Sequence, residues 1–212
     1  MNELHYTLVT DGSSDQAFLP ILDWSLTRCG YSGAIQGRYA DLRHLRHKPK
    51  SLVERIRASV DLYPCDILFI HRDCETDTVR KRTDEIDEAM RIASTNRQYP
   101  QHICVVPKRM MEAWLLINES KIRTASGNPS GRVPLRLPRL REIESTPDPK
   151  ALLFELLRTA SEAQGRRLRT LNVHKLIHRI AELTSDFSPL EQLPSYIEFS
   201  GKLTELVASF QT

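Results

Sequence analysis

The stretch DILFIHRDCE, residues 66–75, decides the fold. Its first part, residues 66–70, is a short and continuous apolar run, which is typical of a central strand buried on both faces of a parallel sheet. Charged side chains follow at once with His71, Arg72 and Asp73. The stretch therefore predicts a buried strand whose carboxyl end carries a carboxylate, at the position where open α/β sheets bind ligands.

The segments around this strand alternate between two hydrophobic periodicities. Further strands are predicted at residues 4–10, at 34–42, where the pattern is weak, and at 102–106. Helices are predicted at residues 14–28, 50–62 and 77–96, and from about Pro107 through Leu116. This alternation predicts an α/β fold with a mostly parallel sheet flanked by helices.

The chain divides into three parts by composition. Residues 1–120 carry the strand–helix alternation and form the predicted α/β domain. Residues 121–147 are rich in proline, glycine and arginine, which predicts a long loop. Residues 148–212 show only helical periodicity, which predicts a helical C-terminal region.

Bulk composition excludes several classes of protein. The chain has 212 residues, a net charge of +3, and no apolar run near the ~20 residues that a membrane-spanning helix needs. Its N-terminus has no basic stretch followed by an apolar one, so we expect a cytoplasmic protein without a membrane partner. The four cysteines occur singly and are expected to be reduced thiols. The sequence also lacks a phosphate-binding P-loop and a G-x-S-x-G nucleophile motif.

Five carboxylates follow the predicted strands and form the candidate metal site, namely Asp11, Asp15, Asp73, Glu75 and Glu112. Because the carboxyl ends of parallel strands share one edge of the sheet, we expect these side chains to converge. Clustered carboxylates repel each other unless a cation lies among them, and hard oxygen ligands favour Mg²⁺ or Mn²⁺. Each acid also has a plain structural reading, as a helix cap, a first-turn acid or a surface residue.

Basic side chains surround this acidic region. Residues 121–141 carry six lysines and arginines and no acid. Such flanks suit contacts to phosphate, and an ordinary solvated surface is the alternative. The candidate nucleic-acid contacts are Arg72, Lys108, Arg109, Lys121 and Arg123. His71 either pairs with the acids or packs as a neutral side chain.

Three segments together resemble Toprim-type domains. They are LVTDGSSDQAFL (residues 8–19), DILFIHRDCET (66–76) and VVPKRMMEAWLL (105–116). The last, with the later helical segments DPKALLFELL and VHKLIHRIAEL, is similar to small bacterial Toprim-like proteins, some of which accompany an ABC-type ATPase. Related proteins include nucleases of the overcoming-lysogenization-defect type.

The resemblance implies roles for the acids. Asp11 falls where Toprim domains usually have a glutamate that acts as general acid/base or metal ligand. Asp73 and Glu75 fall at the Asp-x-Asp metal pair, and Glu112 matches the glutamate before Ala-Trp. The resemblance implies catalysis by Asp11, Asp73 and Glu112, with Asp15 completing the metal shell. Aspartate at position 11 and glutamate at position 75 depart from the usual pattern and put full activity in question.

The function that the resemblance implies is Mg²⁺- or Mn²⁺-dependent cleavage of nucleic acid, chiefly DNA, in defence against phage or foreign DNA with an ABC-type ATPase partner. Two alternatives stay open. One is a catalytically inactive partner or regulatory subunit of an ATPase complex. The other is an enzyme acting on a small phosphorylated substrate, with residues 121–147 as a lid.

Overall fold

A four-stranded, all-parallel sheet forms the centre of the protein. The computed structural model describes residues 3–210, so the outer ends of the predicted divisions, residues 1–2 and 211–212, lie outside the described residues. The strands are β1 (Glu3–Val9), β2 (Ala34–Tyr39), β3 (Ile67–His71) and β4 (Gln101–Val105). They lie in the order β2-β1-β3-β4 and every neighbouring pair is parallel. The predicted α/β class with a parallel sheet and a helical C-terminal region is confirmed.

The strand order creates a topological switch point between β1 and β3. The chain passes from β1 outward to β2, then crosses β1 to reach β3 and continues to β4. Connections therefore leave β1 and β3 in opposite directions and open a crevice beyond their carboxyl ends, where open α/β sheets bind ligands. Asp11 follows β1 and Asp73 follows β3, so both lie at this crevice.

Eight α-helices lie between and after the strands in the described part of the chain. They are α1 (Leu19–Arg28), α2 (Leu52–Leu62), α3 (Val79–Ala93), α4 (Glu119–Ala125), α5 (Pro149–Ser161), α6 (Gly165–Arg169), α7 (Val173–Leu183) and α8 (Pro194–Phe210). Short 3₁₀ helices occupy Ser13–Phe18, Met111–Leu115, Leu140–Ser145 and Ser188–Gln192. The helices cover both faces of the sheet, as parallel sheets require.

Two hydrophobic cores lie on opposite faces of the sheet. Residues from α2 and α3, such as Ile56 and Ile86, pack with Leu68 and Ile70 of β3 in the smaller core. The larger core joins the other sheet face to α1, the segment around Trp114 and the C-terminal helices. The C-terminal helices thus share a hydrophobic core with the sheet.

Local sequence explains where several helices begin. Ser51 accepts a hydrogen bond from the Glu54 amide, and the Glu54 carboxylate accepts from the Ser51 amide, which forms a capping box for α2. Asp148 caps α5 through the Ala151 amide. Pro149 occupies the first position of α5, where a missing N–H has no cost.

The structure differs from the predicted elements in three places. The helix expected at residues 14–28 begins as a 3₁₀ helix and becomes α1 only at Leu19. The helix expected through Leu116 is the single 3₁₀ stretch Met111–Leu115. The segment 121–147 is not all loop, because Asn118 caps α4 through the Lys121 amide and α4 extends to Ala125. None of the helices in residues 3–210 is long and apolar enough to cross a membrane.

Candidate functional site

Asp73 and His71 form the centre of the candidate site at the carboxyl end of β3. The His71 ring is buried, and its Nδ1 lies 2.8 Å from the Val105 carbonyl oxygen. Because a carbonyl only accepts, Nδ1 carries the proton and Nε2 faces Asp73 Oδ1 at 3.3 Å. Asp73 Oδ1 also accepts a hydrogen bond from the Met111 amide at 3.2 Å. The imidazole is thus oriented by a backbone carbonyl in the way that metal-binding histidines commonly are.

Glu112 reaches the same region from the segment after β4. Its side chain lies on the 3₁₀ helix Met111–Leu115, and the residue is only 2% exposed. Lys150 at the start of α5 places its Nζ 3.6 Å from Glu112 Oε1. Burial raises the pKa of Glu112 above its ordinary value, and the negative charges of Asp73 and Asp15 raise it further against the opposing effects of its own amide and Lys150.

Asp15 supplies the third carboxylate of this group. It is 7% exposed and accepts hydrogen bonds from the Gly12 amide at 3.1 Å and the Ser14 hydroxyl at 3.2 Å. Its charge acts on both His71 and Glu112. Asp15 therefore belongs electrostatically to the group around Asp73.

Asp15, His71, Asp73, Glu112 and Lys150 make up what we call the carboxylate cluster. Burial alone would lower the pKa of His71, but the hydrogen bond to Asp73 and the charge of Asp15 outweigh it, so the pKa of His71 is raised. Burial would raise the pKa of Asp73, but the hydrogen bond and charge of His71 hold it below its ordinary value. One lysine and one histidine thus offset the negative charge of the three carboxyl groups, and the raised pKa of Glu112 lowers that charge further.

Asp11 is held by arginines rather than by the carboxylate cluster. Arg55 of α2 binds Asp11 Oδ1, and Arg72 Nε lies 3.3 Å from Asp11 Oδ2. The Asp11 side chain is 46% exposed. Both carboxylate oxygens of Asp11 thus have cationic partners, and the role of Asp11 as a metal ligand or general base stays a prediction.

Glu75 points away from the carboxylate cluster. Its φ of 50° is in the left-handed region, and its side chain is 66% exposed, with Arg82 Nη2 at 3.7 Å. The Glu75 amide donates to the Arg109 carbonyl at 2.6 Å, and Arg109 Nη1 donates to the Glu75 carbonyl at 3.3 Å. The turn after β3 thus leaves the Glu75 side chain exposed beside Arg82. The pairing of Asp73 and Glu75 on one ion stays a prediction.

The distances within the carboxylate cluster are wider than those of a closed metal site. Among residues 3–210, ligand atoms of three or more histidine, cysteine or acidic side chains come within 4.8 Å of one another at one place, formed by Asp87, His102 and Cys104. The predicted acids do not form such a group.

The predicted nucleic-acid contacts fall into two sets. Lys108 is exposed and Lys121 is half-buried at the start of α4. The other three are engaged within the protein: Arg72 pairs with Asp11 and Glu85, Arg109 holds the Glu75 carbonyl, and Arg123 is buried. The Arg123 guanidinium donates to the Glu119 carboxylate and the Val133 carbonyl, so its role is to tie α4 to the loop after it.

A basic cavity lies next to the crevice on the β1–β2 side. Its volume is about 160 Å³, and the charged side chains that line it include Asp11, Arg43, Lys48 and Arg55. The loop of residues 40–51 supplies Arg43 and Lys48. Arg43 pairs with Asp41 and Arg55 pairs with Asp11, so Lys48 supplies the remaining positive charge of the lining. That charge suits a phosphate group.

Sequence reasoning missed two residues that shape the site and left a third open. Lys150 arrives from the C-terminal helices, and Arg55 arrives from α2. His71 was expected either to pair with the acids or to pack as a neutral side chain, and a hydrogen bond to a neighbouring strand orients it. Side-chain alternation along β3 places His71 on the same face as Ile67 and Phe69, where its ring centroid lies 4.6 Å from that of Phe18.

Comparisons with known proteins found no relative of this chain. No protein-family model matches the chain, and neither a curated protein nor a solved structure matches it.

Proposed function

We propose that the protein is a divalent-metal-dependent phosphodiesterase that cleaves nucleic acid, with Asp73, Asp15, Glu112 and His71 as the metal-binding side chains. One observation carries the proposal: buried Glu112 and Asp15 face Asp73 and a carbonyl-oriented imidazole at the switch point of the sheet. Burying several carboxylates together is costly unless a cation compensates them. Asp15, Asp73 and Glu112 would therefore gain a compensating charge if they bound a cation.

The donor set fits Mg²⁺ or Mn²⁺. Carboxylate oxygens are the ligands that these ions prefer, and an imidazole favours Mn²⁺ of the two. When bound, the ion supplies Lewis-acid stabilisation of charge on a phosphodiester and lowers the pKa of a coordinated water. Within the chain, Val105 fixes the His71 ring, and the Met111 amide fixes Asp73.

The surrounding charges support a phosphate-containing substrate. Arg43, Lys48 and Arg55 line the basic cavity beside the crevice, and exposed Lys108 follows β4 on the other side. A strand of nucleic acid laid across the strand ends would thus meet cations on both sides of the carboxylate cluster. We extend the proposal to DNA as the substrate and the cytoplasm as the place of action. The ATPase partnership and the role in defence stay predictions from the resemblance.

One observation favours a second candidate function, that of a non-catalytic partner or regulatory subunit. Asp11, at the position where Toprim domains usually have a catalytic glutamate, is held by Arg55 and Arg72. A protein that had lost catalysis could keep such a pair as a structural link. The two functions differ in whether metal-dependent cleavage is present and depends on Asp73.

The experiment is nicking of supercoiled plasmid with Mn²⁺ or Mg²⁺ present, compared with chelator. We expect Asp73→Asn to reduce the nicking rate at least about 100-fold because it removes a charged ligand. Asp84→Asn is the matched control, since Asp84 is exposed on α3, and this variant should nick at the wild-type rate. Equal nicking by Asp73→Asn and wild type would reject the metal assignment. No cleavage by wild type under any of these conditions would favour the non-catalytic function.

A further inference from the structure

A second group of metal-binding side chains lies outside the crevice, between β4 and α3. His102 and Cys104 are two residues apart on β4, so both side chains point to the same face of the sheet. This is the face of the smaller core, which contains Cys104. Asp87 of α3 packs over the pair, with Oδ1 2.8 Å from His102 Nε2 and 3.5 Å from Cys104 Sγ.

We propose that Asp87, His102 and Cys104 form a binding site for a thiophilic divalent ion, best suited to Zn²⁺. All three ligand atoms lie within 4.8 Å of one another. Zn²⁺ bonds of about 2.0–2.3 Å in a tetrahedron separate ligand atoms by about 3.3–3.8 Å. The His102–Asp87 hydrogen bond therefore opens by about half an ångström when the ion takes its place, and exposed Asp87 can make that movement by a side-chain rotation.

The donor chemistry separates this site from the carboxylate cluster. A mixed sulfur, nitrogen and oxygen set favours Zn²⁺ over Mg²⁺, which prefers oxygen alone. On binding, the Cys104 thiol loses its proton to solvent and the thiolate sulfur bonds to the metal. The proton of His102 Nε2 that bonds to Asp87 passes through solvent to Nδ1, which leaves Nε2 free to bind the ion. The charges then balance, because a divalent cation meets one thiolate, one carboxylate and a neutral imidazole.

The surroundings leave a path to the site, and the two arginines beside that path are paired with acids. A cavity of about 460 Å³ opens beside Asp87 and His102, so ion and water can reach the fourth position. Arg91 and Arg97, which also line this cavity, pair with Glu88 and Asp61.

On the other side of Cys104, α8 contributes one charge of each sign. Lys202 lies 3.5 Å from Glu198, so its charge is compensated. Three protein ligands and one open position are thus compatible with the local electrostatics.

Metal binding at this site would hold the edge strand β4 against α3. β4 has a hydrogen-bonded neighbour on one side only, and α3 is the helix that follows the Asp73 turn. An ion joining Asp87 to His102 and Cys104 would cross-link α3 to β4. It would therefore stabilise the fold without entering the crevice.

Metal titration of the full chain tests the proposal. We expect metal-free protein to bind one equivalent of Co²⁺, used as a spectroscopic substitute for Zn²⁺, with a thiolate-to-metal charge-transfer band in the near ultraviolet. Zn²⁺ should bleach this band and raise the melting temperature. Cys104→Ala should abolish the band, and Cys65→Ala, which changes a half-buried cysteine away from the site, should retain it.

Two ligand variants keep the test independent of changes at the buried thiol. Asp87→Asn and His102→Gln alter more exposed side chains and should fold, as circular dichroism will show. Each should weaken Zn²⁺ binding at least about tenfold. The proposal is overturned if wild type gives no charge-transfer band, if the band survives in Cys104→Ala, or if folded Asp87→Asn and His102→Gln bind Zn²⁺ as tightly as wild type.

Discussion

The substitution Glu112→Gln separates two properties of the candidate metal site: its effect on folding stability without metal, and its ability to bind Mn²⁺. In metal-free protein, folding raises the pKa of Glu112 because the carboxyl group is buried beside Asp73 and Asp15. A raised carboxyl pKa means that the ionised form is less favourable in the folded state. Its destabilising effect is absent well below the ordinary glutamate pKa and grows as the pH rises to the folded-state value. Glutamine carries no charge, so the variant should be more stable than wild type at neutral pH when metal is absent.

Mn²⁺ should stabilise wild type more than it stabilises Glu112→Gln. An ion present at about 100 times its dissociation constant stabilises a folded protein by about 2.7 kcal/mol. For a chain of 212 residues this corresponds to an increase in melting temperature of roughly 5–10 °C. If loss of the Glu112 ligand weakens binding about 100-fold, the same Mn²⁺ concentration stabilises by only about 0.4 kcal/mol, or roughly 1–2 °C.

Thermal unfolding followed by circular dichroism, with chelator or with Mn²⁺, measures both effects. Glu155→Gln is the matched control, because Glu155 is exposed on α5 and its removal should change neither response. An equal Mn²⁺-induced increase in wild type and Glu112→Gln would refute Glu112 as a ligand. A metal-free variant less stable than wild type would refute the reasoning about the buried charge.

Two further predictions concern the fold around the site. Gly37→Ala should destabilise the protein by about 1–3 kcal/mol in urea unfolding, because a Cβ built there lies 2.2 Å from the Tyr6 ring. A cost that persists unchanged in a Tyr6→Ala background would exclude this clash as the cause. Glu162→Gln should make the loop after α4 more sensitive to limited proteolysis, because the Glu162 carboxylate accepts from the Arg132 and Val133 amides at 2.8 and 3.2 Å. Those amides lower the pKa of Glu162, so this anchoring is complete above the ordinary glutamate pKa and is lost as the pH falls through the lowered value. Equal cleavage of wild type and variant above the ordinary glutamate pKa would contradict the prediction.

Much of the fold was predictable from the sequence because the determining signals are local. The apolar run before His71 correctly predicted the central strand, and the alternation of strand and helix patterns correctly predicted the parallel sheet. The weak strand candidate at residues 34–42 proved to be the edge strand β2, whose neighbour lies on one side only. Its pattern was weak because an edge strand is less buried than a central one.

The candidate site was less predictable because its charges are paired across long sequence separations. Asp11 meets Arg55, which lies on the next strand-to-strand connection, and Glu112 meets Lys150 from the C-terminal helices. Periodicity carries no information on such pairs. The orientation of Glu75 was unpredictable for a different reason. In a continuing strand it would point in the same direction as Asp73, but β3 ends at His71 and the chain turns through a positive φ at Glu75.

The two hydrogen bonds between Glu75 and Arg109, one between backbones and one from the Arg109 guanidinium, have a mechanical consequence. They fasten the turn after β3 to the turn after β4, and the Met111 amide adds a second link through Asp73. These two turns are therefore linked and should move together. The basic stretch of residues 40–51 between β2 and α2, on the other side of the crevice, has neither helix nor strand, so we expect any rearrangement at the crevice to occur there.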